Sequence, residues 1–244
     1  MNLYLDTETL PTVDERVIAK IAAGIRPPAS MKKAETIAAW EANEKPAAIV
    51  EAIAKTSLDG AYGRLGVIGF AINDFDPVAY TAVDSNEGDG LTADFDEKTL
   101  ISDFFHDVEF GPQADRLSSV KKFSEPIRIV GHNVIGFDIR ILVQRAIVLG
   151  VAIPAWFPIN PRPWDDTVFD TMTTWAGIRD YVSMDKLALA LGLDGKGETD
   201  GSMVASMWAA GRIAEVRDYC CDDVRQARAI AKRMWAALPE RRAA

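Results

Sequence analysis

The chain has 244 residues, 48% of them hydrophobic and 26% charged, with a formal net charge of −9. That composition suits one large globular domain, or a domain carrying an insertion, and no apolar run approaches the ~20 residues of a membrane span. The acidic balance excludes a protein that holds nucleic acid by bulk positive charge, so any such partner must be met by local basic residues and bound metal.

Met1 to Leu10 has no basic region and no long apolar region, and it already carries two acids, which is unlike a signal peptide. Asn2 to Thr7 alternates, with Leu3 and Leu5 to one side and Tyr4 and Asp6 to the other, and reads as an early, central strand. Residues 11–59 read as a helical insertion after it. Thr12 to Glu15 has the capping-box spacing, and a helix follows to about Ala23. Ser30 to Glu44 is a second helical stretch with Ile37, Ala38 and Trp40 on its apolar side. Pro46 opens a third, which runs to about Lys55.

Leu65 to Asn73 is apolar and β-branched, a buried strand, and Val78 to Val83 returns the chain. Lys98 to Val108 is predicted helical. Ile127 to Gly131 is a short buried strand, followed by a helix from about Gly136 to Leu149. The Pro-rich loop 151–166 carries Trp156 and Trp164. Helices are predicted at about 167–176, 184–191, 201–209 and 211–235, and residues 241–244 as a loose tail. Together these elements predict an α/β fold with a mixed sheet flanked by helices, in one domain spanning 1–244. The cysteines, Cys220 and Cys221, are adjacent, so neither a disulfide framework nor a zinc site is available, which fits a reduced, cytoplasmic setting.

Three groups of residues carry chemistry. Asp6 and Glu8 are two apart on a strand, so both carboxylates leave one face. On a central strand that pair needs a counter-charge, and a divalent metal with oxygen ligands supplies it. At a solvated strand end the pair would need none. Asp138 lies in the first turn of a helix, where an acid can equally be a cap on the helix dipole. Asn133 and Phe137 beside it can contact a nucleotide by hydrogen bond and stacking. Tyr219 and Asp223 are one turn apart and share a helix face, so the phenol can orient a water near a metal held by the carboxylate. The plain alternative is a core tyrosine with a surface acid. Asp222 faces about 100° away, toward solvent.

Asp-x-Glu on the first strand, Asn-x3-Phe-Asp after a later strand, and Tyr-x3-Asp on the last helix resemble the three-motif pattern of the DEDD exonuclease superfamily. Tyr219 makes the chain similar to the DEDDy branch. It looks most like the predicted 3′→5′ exonucleases related to the proofreading domain of family B DNA polymerases, phage members included. Lys55 to Gly60, Phe169 to Met172, Leu191 to Gly197 and Asp200 to Ser202 extend the resemblance over nearly the whole chain.

The resemblance implies a ribonuclease H-like fold. It implies that Asp6, Glu8, Asp138 and Asp223 ligate two Mg2+ or Mn2+ ions and that Tyr219 positions the attacking water. Asn133 and Phe137 would border the terminal nucleotide, and Leu10 would wedge against the last base. Asp170 reads as a helix cap or a group behind the ligands. Lys186 and Lys196 read as solvated lysines, with phosphate contact as the alternative. The implied activity releases nucleoside 5′-monophosphates from single-stranded DNA, ahead of RNA, in a cytoplasm (the host's, if phage-encoded), with a DNA polymerase or replication protein as companion.

Other readings are weaker. Asp84 to Gly90 lacks the glycine and closing acid of a calcium loop. His106-Asp107 is a bare pair, and two histidines cannot build a histidine-metal phosphohydrolase. Cys220 and Cys221 read as helix packing residues. The rival functions are an exoribonuclease using the same carboxylates and a catalytically idle binding module of a replication complex. The filled ligand positions argue against the second.

Overall fold

The computed structural model describes residues 1–83, 95–111, 125–195 and 200–238. Its centre is a five-stranded sheet in the order β3-β2-β1-β4-β5. The strands are β1 (Asn2–Leu10), β2 (Arg64–Ile72), β3 (Val78–Thr81), β4 (Arg128–Gly131) and β5 (Val168–Asp170). β1 runs antiparallel to β2 and parallel to β4, and β4 is parallel to β5, so the sheet is mixed as expected. β5 departs from the expectation of helix over 167–176: Val168 to Asp170 pairs with β4, and the helix α6 (Thr171–Ala176) begins only afterwards. Three fully buried residues bonded to a neighbouring strand gain more from the ladder than from their own helical tendency.

Both faces of β1 are covered, which explains why its alternation is apolar on each side. Leu3 and Leu5 belong to one core, shared with α4 (Glu97–Phe110) and α5 (Asp138–Leu149). Tyr4 belongs to a second core beneath α6, α7 (Met184–Ala190) and the long α9 (Ile213–Trp235). α9 lies across β1, β2, β3 and β4. Lys232 and Arg233 in its last turn complement the helix dipole. α8 (Val204–Ala209) closes a third, smaller core around Leu10, Val67 and Met207.

The insertion consists of α1 (Glu15–Gly24), α2 (Ala34–Asn43), α3 (Lys45–Ala54) and a 3-10 turn (Lys55–Leu58). It leaves the C-terminal end of β1 and rejoins at the start of β2, the same end of the sheet, because those strands are antiparallel. The helix start moves from the expected capping box: Asp14, not Thr12, caps α1 by accepting from the Arg16 N–H, and Thr12 instead accepts from the Asp14 N–H. A buried ion pair ties the return of the insertion to the core. Arg145 of α5 meets Glu97 of α4 through two nitrogens at 2.7 and 2.8 Å and donates to the Gly60 carbonyl at 3.1 Å. Glu97 also accepts from the Leu65 N–H at the start of β2. No described helix is long and apolar enough to cross a membrane.

Candidate active site

Asp6 pairs across the sheet with Gly69 of β2. A Cβ on Gly69 would stand 2.6 Å from Cys220 Sγ. The bare glycine therefore lets α9 settle onto the sheet at this point. Cys220 Sγ comes to 3.4 Å from Asp6 Oδ2 and 3.6 Å from the Asp6 carbonyl oxygen. Carboxylate oxygens of Asp6 and Glu8 and the Cys220 sulfur all lie within 4.8 Å of one another. The β1–β2 register slips between Glu8 and Thr9, a bulge that breaks the ladder beside the acids.

The same stretch of α9 carries Tyr219 and Asp223. The Tyr219 hydroxyl bonds to Asp223, and burial first, then the charges of Asp223, Glu8 and Asp6, push its pKa far above the ordinary range. The phenol thus stays protonated, bonded to Asp223 and within reach of the charges of Glu8 and Asp6. Burial, with Asp6 and Glu8, also pushes the Cys220 thiol well up, so it is a neutral donor. Asp222 is exposed and paired with Arg225, as the helix geometry predicts.

Asp138 approaches from the other side of the sheet. It is the first residue of α5 and is 3% exposed. Thr7, between Asp6 and Glu8 on β1, donates its hydroxyl to Asp138 Oδ1 at 2.7 Å. Burial pushes the Asp138 carboxyl up to about 7, with the Thr7 bond opposing and the Asp170 charge adding. The turn that delivers it is held by Asp170, which accepts from the N–H groups of Asn133 and Ile135 and caps α6 through Met172 and Thr173. Asp170 is thus a cap and a brace. Gly131 must be glycine, since a Cβ there would meet the Leu5 carbonyl at 2.8 Å. Asn133 adopts φ 61, a left-handed conformation that asparagine tolerates.

Asp6, Glu8, Tyr219 and Asp223 come together, and Asp138 reaches β1 between the first two. Asn133 and Phe137 are half-buried at the turn, Phe137 packing partly on the core. Leu10 differs from the expected wedge: it is 2% exposed and packs with Val67, Val204, Met207 and Val216. The β1 alternation turns it inward, toward Gly66. Lys196 and Asp84 to Gly90 fall outside the described residues. His106 and Asp107 bond to each other, and Tyr80 donates to Asp107, an arrangement of the β3–α4 side. The sequence reading missed Cys220 as a site residue. Its signal was only its place next to Tyr219. A cleft of about 600 Å³ opens beside Tyr219 and Asp223, walled by Leu193, Asp194, Met207 and Gln226.

Carboxylate oxygens gathered at this spacing suit hard divalent cations, and the protonated thiol adds no competing charge. Gly69→Ala, which would push α9 away from Asp6, is expected to lower any activity of this site at least tenfold, at a stability cost of about 1–3 kcal/mol from overpacking. Activity and a melting curve on the same preparation check this. Wild-type activity would mean that the helix has room to spare.

The sheet order, the covered central strand and the acids at its end define an α/β protein with a ribonuclease H-like fold. The chain belongs to the family of predicted 3′-5′ exonucleases related to the exonuclease domain of PolB, whose model matches residues 91–231, more than half of its length. Among solved structures it is similar in fold to the family B DNA polymerase from the hyperthermophilic archaeon Pyrobaculum calidifontis, with a TM-score of 0.51 and 22% identity. That match covers 72% of this chain and 22% of the polymerase chain. No curated protein matches.

Proposed function

We propose that this protein is a metal-dependent 3′→5′ exonuclease that shortens single-stranded DNA to nucleoside 5′-monophosphates. The observation that supports it most is the gathering of the Asp6 and Glu8 carboxylates against Cys220 of α9, one residue from Tyr219, which bonds to Asp223, in a chain of this family. Asp6, Glu8, Asp138 and Asp223 would hold the divalent cations, two Mg2+ or Mn2+. Such cations, when bound, supply Lewis acidity that acidifies water and stabilises a leaving 3′ oxygen. Tyr219 keeps its proton and orients the attacking water by hydrogen bonding. Cys220 holds Asp6 in place as a neutral donor, and Thr7 holds Asp138. Asn133 and Phe137 border the terminal nucleotide. Residues 1–244 act as one exonuclease unit. DNA is favoured over RNA because the similar solved structure is a DNA polymerase, and a polymerase is the companion we infer.

The test is the identity of the product. Chromatography of a digest of unlabelled single-stranded DNA with Mn2+ should give nucleoside 5′-monophosphates alone. Dinucleotides or 3′-monophosphates as main products would overturn the assignment.

A further inference from the structure

α6 leaves the C-terminal end of β5, the same end of the sheet that carries the acids, and the connection from α6 to α7 is tied back to that end where Val182 meets His132. Around it Trp175 is 51% exposed, Ile178 69% and Tyr181 75%. Large apolar side chains exposed together on one segment mark interaction surfaces more than single ones do. The segment is nonetheless well fixed. Asp170 caps α6 and Ser183 caps α7. His132 Nε2–H donates to the Val182 carbonyl at 2.8 Å, and its Nδ1 meets Thr171 Oγ1 at 2.9 Å. Tyr181 is therefore one residue from an anchored carbonyl, and the anchor immediately precedes Asn133 in the turn that delivers Asp138.

Arg179 lies exposed between the two rings in sequence. Two exposed aromatic side chains with an exposed arginine between them in sequence, at the end of the sheet that carries the acids, match the way unpaired bases are held: by stacking, with a cation for the backbone. A protein partner would favour a continuous apolar patch, and exposed Arg179 and Asp180 interrupt this one. The geometry points to a base-stacking shelf formed by Trp175 and Tyr181, which grips unpaired nucleotides upstream of the 3′ end. This inference rests on the nucleic-acid reading of the neighbouring site. It also gives an acidic protein a sequence-tolerant hold on its substrate that does not depend on net positive charge.

Trp164 supplies a control. It is 61% exposed, but its loop leads into the start of β5, and Arg128 at the start of β4 donates to the Asp166 carbonyl there, so it sits at the opposite end of the sheet. Fluorescence anisotropy of 5′-fluorescein-labelled (dT)12 in EDTA measures binding without hydrolysis. Trp175→Ala with Tyr181→Ala is expected to weaken binding roughly tenfold or more, while Trp164→Ala leaves it unchanged. Trp175→Phe with Tyr181→Phe keeps two rings and restores most of the affinity. Equal affinity of the double alanine variant and wild type overturns the shelf, even if the protein is an active nuclease. Loss in the double phenylalanine variant as severe as in the double alanine variant overturns it too, because stacking would not explain it. Binding that depends on these rings in a protein that hydrolyses nothing upholds the shelf and removes the nuclease reading.

Discussion

Asp223→Asn is expected to lower metal-dependent hydrolysis about 10²–10³-fold and to leave the metal-free protein at least as stable as wild type. Asp223 is 6% exposed and shares its surroundings with Asp6 and Glu8 through Tyr219. Without a cation, carboxylates crowded in this way repel one another. Removing one charge while keeping the side-chain shape relieves that repulsion, by up to about 1 kcal/mol. The amide can still accept the Tyr219 hydrogen bond. An acid that served only the fold would behave oppositely, since its replacement would lower stability and leave catalysis nearly intact. Melting in EDTA, beside initial rates in Mn2+, separates the two. A clear drop in melting temperature with near-normal rates would show that Asp223 serves the fold.

Glu97→Ala is the substitution expected to hurt the fold most. It leaves the Arg145 guanidinium, 7% exposed, without its partner, and it frees the Leu65 N–H at the start of β2. Breaking a buried pair from one side costs about 3–5 kcal/mol. Replacing both members with apolar residues, Glu97→Leu with Arg145→Met, should recover much of the loss, because the expense of a buried pair is mainly desolvation. Urea denaturation of the three variants checks this. A loss under about 1 kcal/mol for Glu97→Ala would show that water reaches the pair.

Much of this architecture could be read from local patterns. The alternation of Leu3, Tyr4, Leu5 and Asp6 predicted an early, central strand, and β1 lies in the middle of the sheet; that its second face is covered too, through Tyr4, came only with the packing of α9. The helices of 11–59 and the long last helix followed from cap, proline and apolar spacing. β5 escaped because three residues are too few to display a period, and only pairing with β4 makes them a strand. Leu10 was misplaced because a residue just past a motif can face either the cleft or the core, and the β1 register decides it.

The site was legible as residue types in order, but its construction was not. Nothing near Cys220 in sequence announces Gly69, about 150 residues away, whose missing side chain admits α9. The Thr7 grip on Asp138 and the Glu97–Arg145 pair are likewise contacts between distant segments. Asp170 was the exception: it read as a helix cap or a group behind the ligands, and it caps α6.

The most direct test of the account follows a 5′-labelled single strand, as DNA and as RNA of the same sequence, on a gel with Mg2+, Mn2+ or EDTA, for wild type and Asp6→Ala. A ladder that shortens from the 3′ end is expected, stronger on DNA, abolished by EDTA and by the substitution. Intact strands of both polymers, with metal present and the protein folded, would contradict it and leave a binding module in its place.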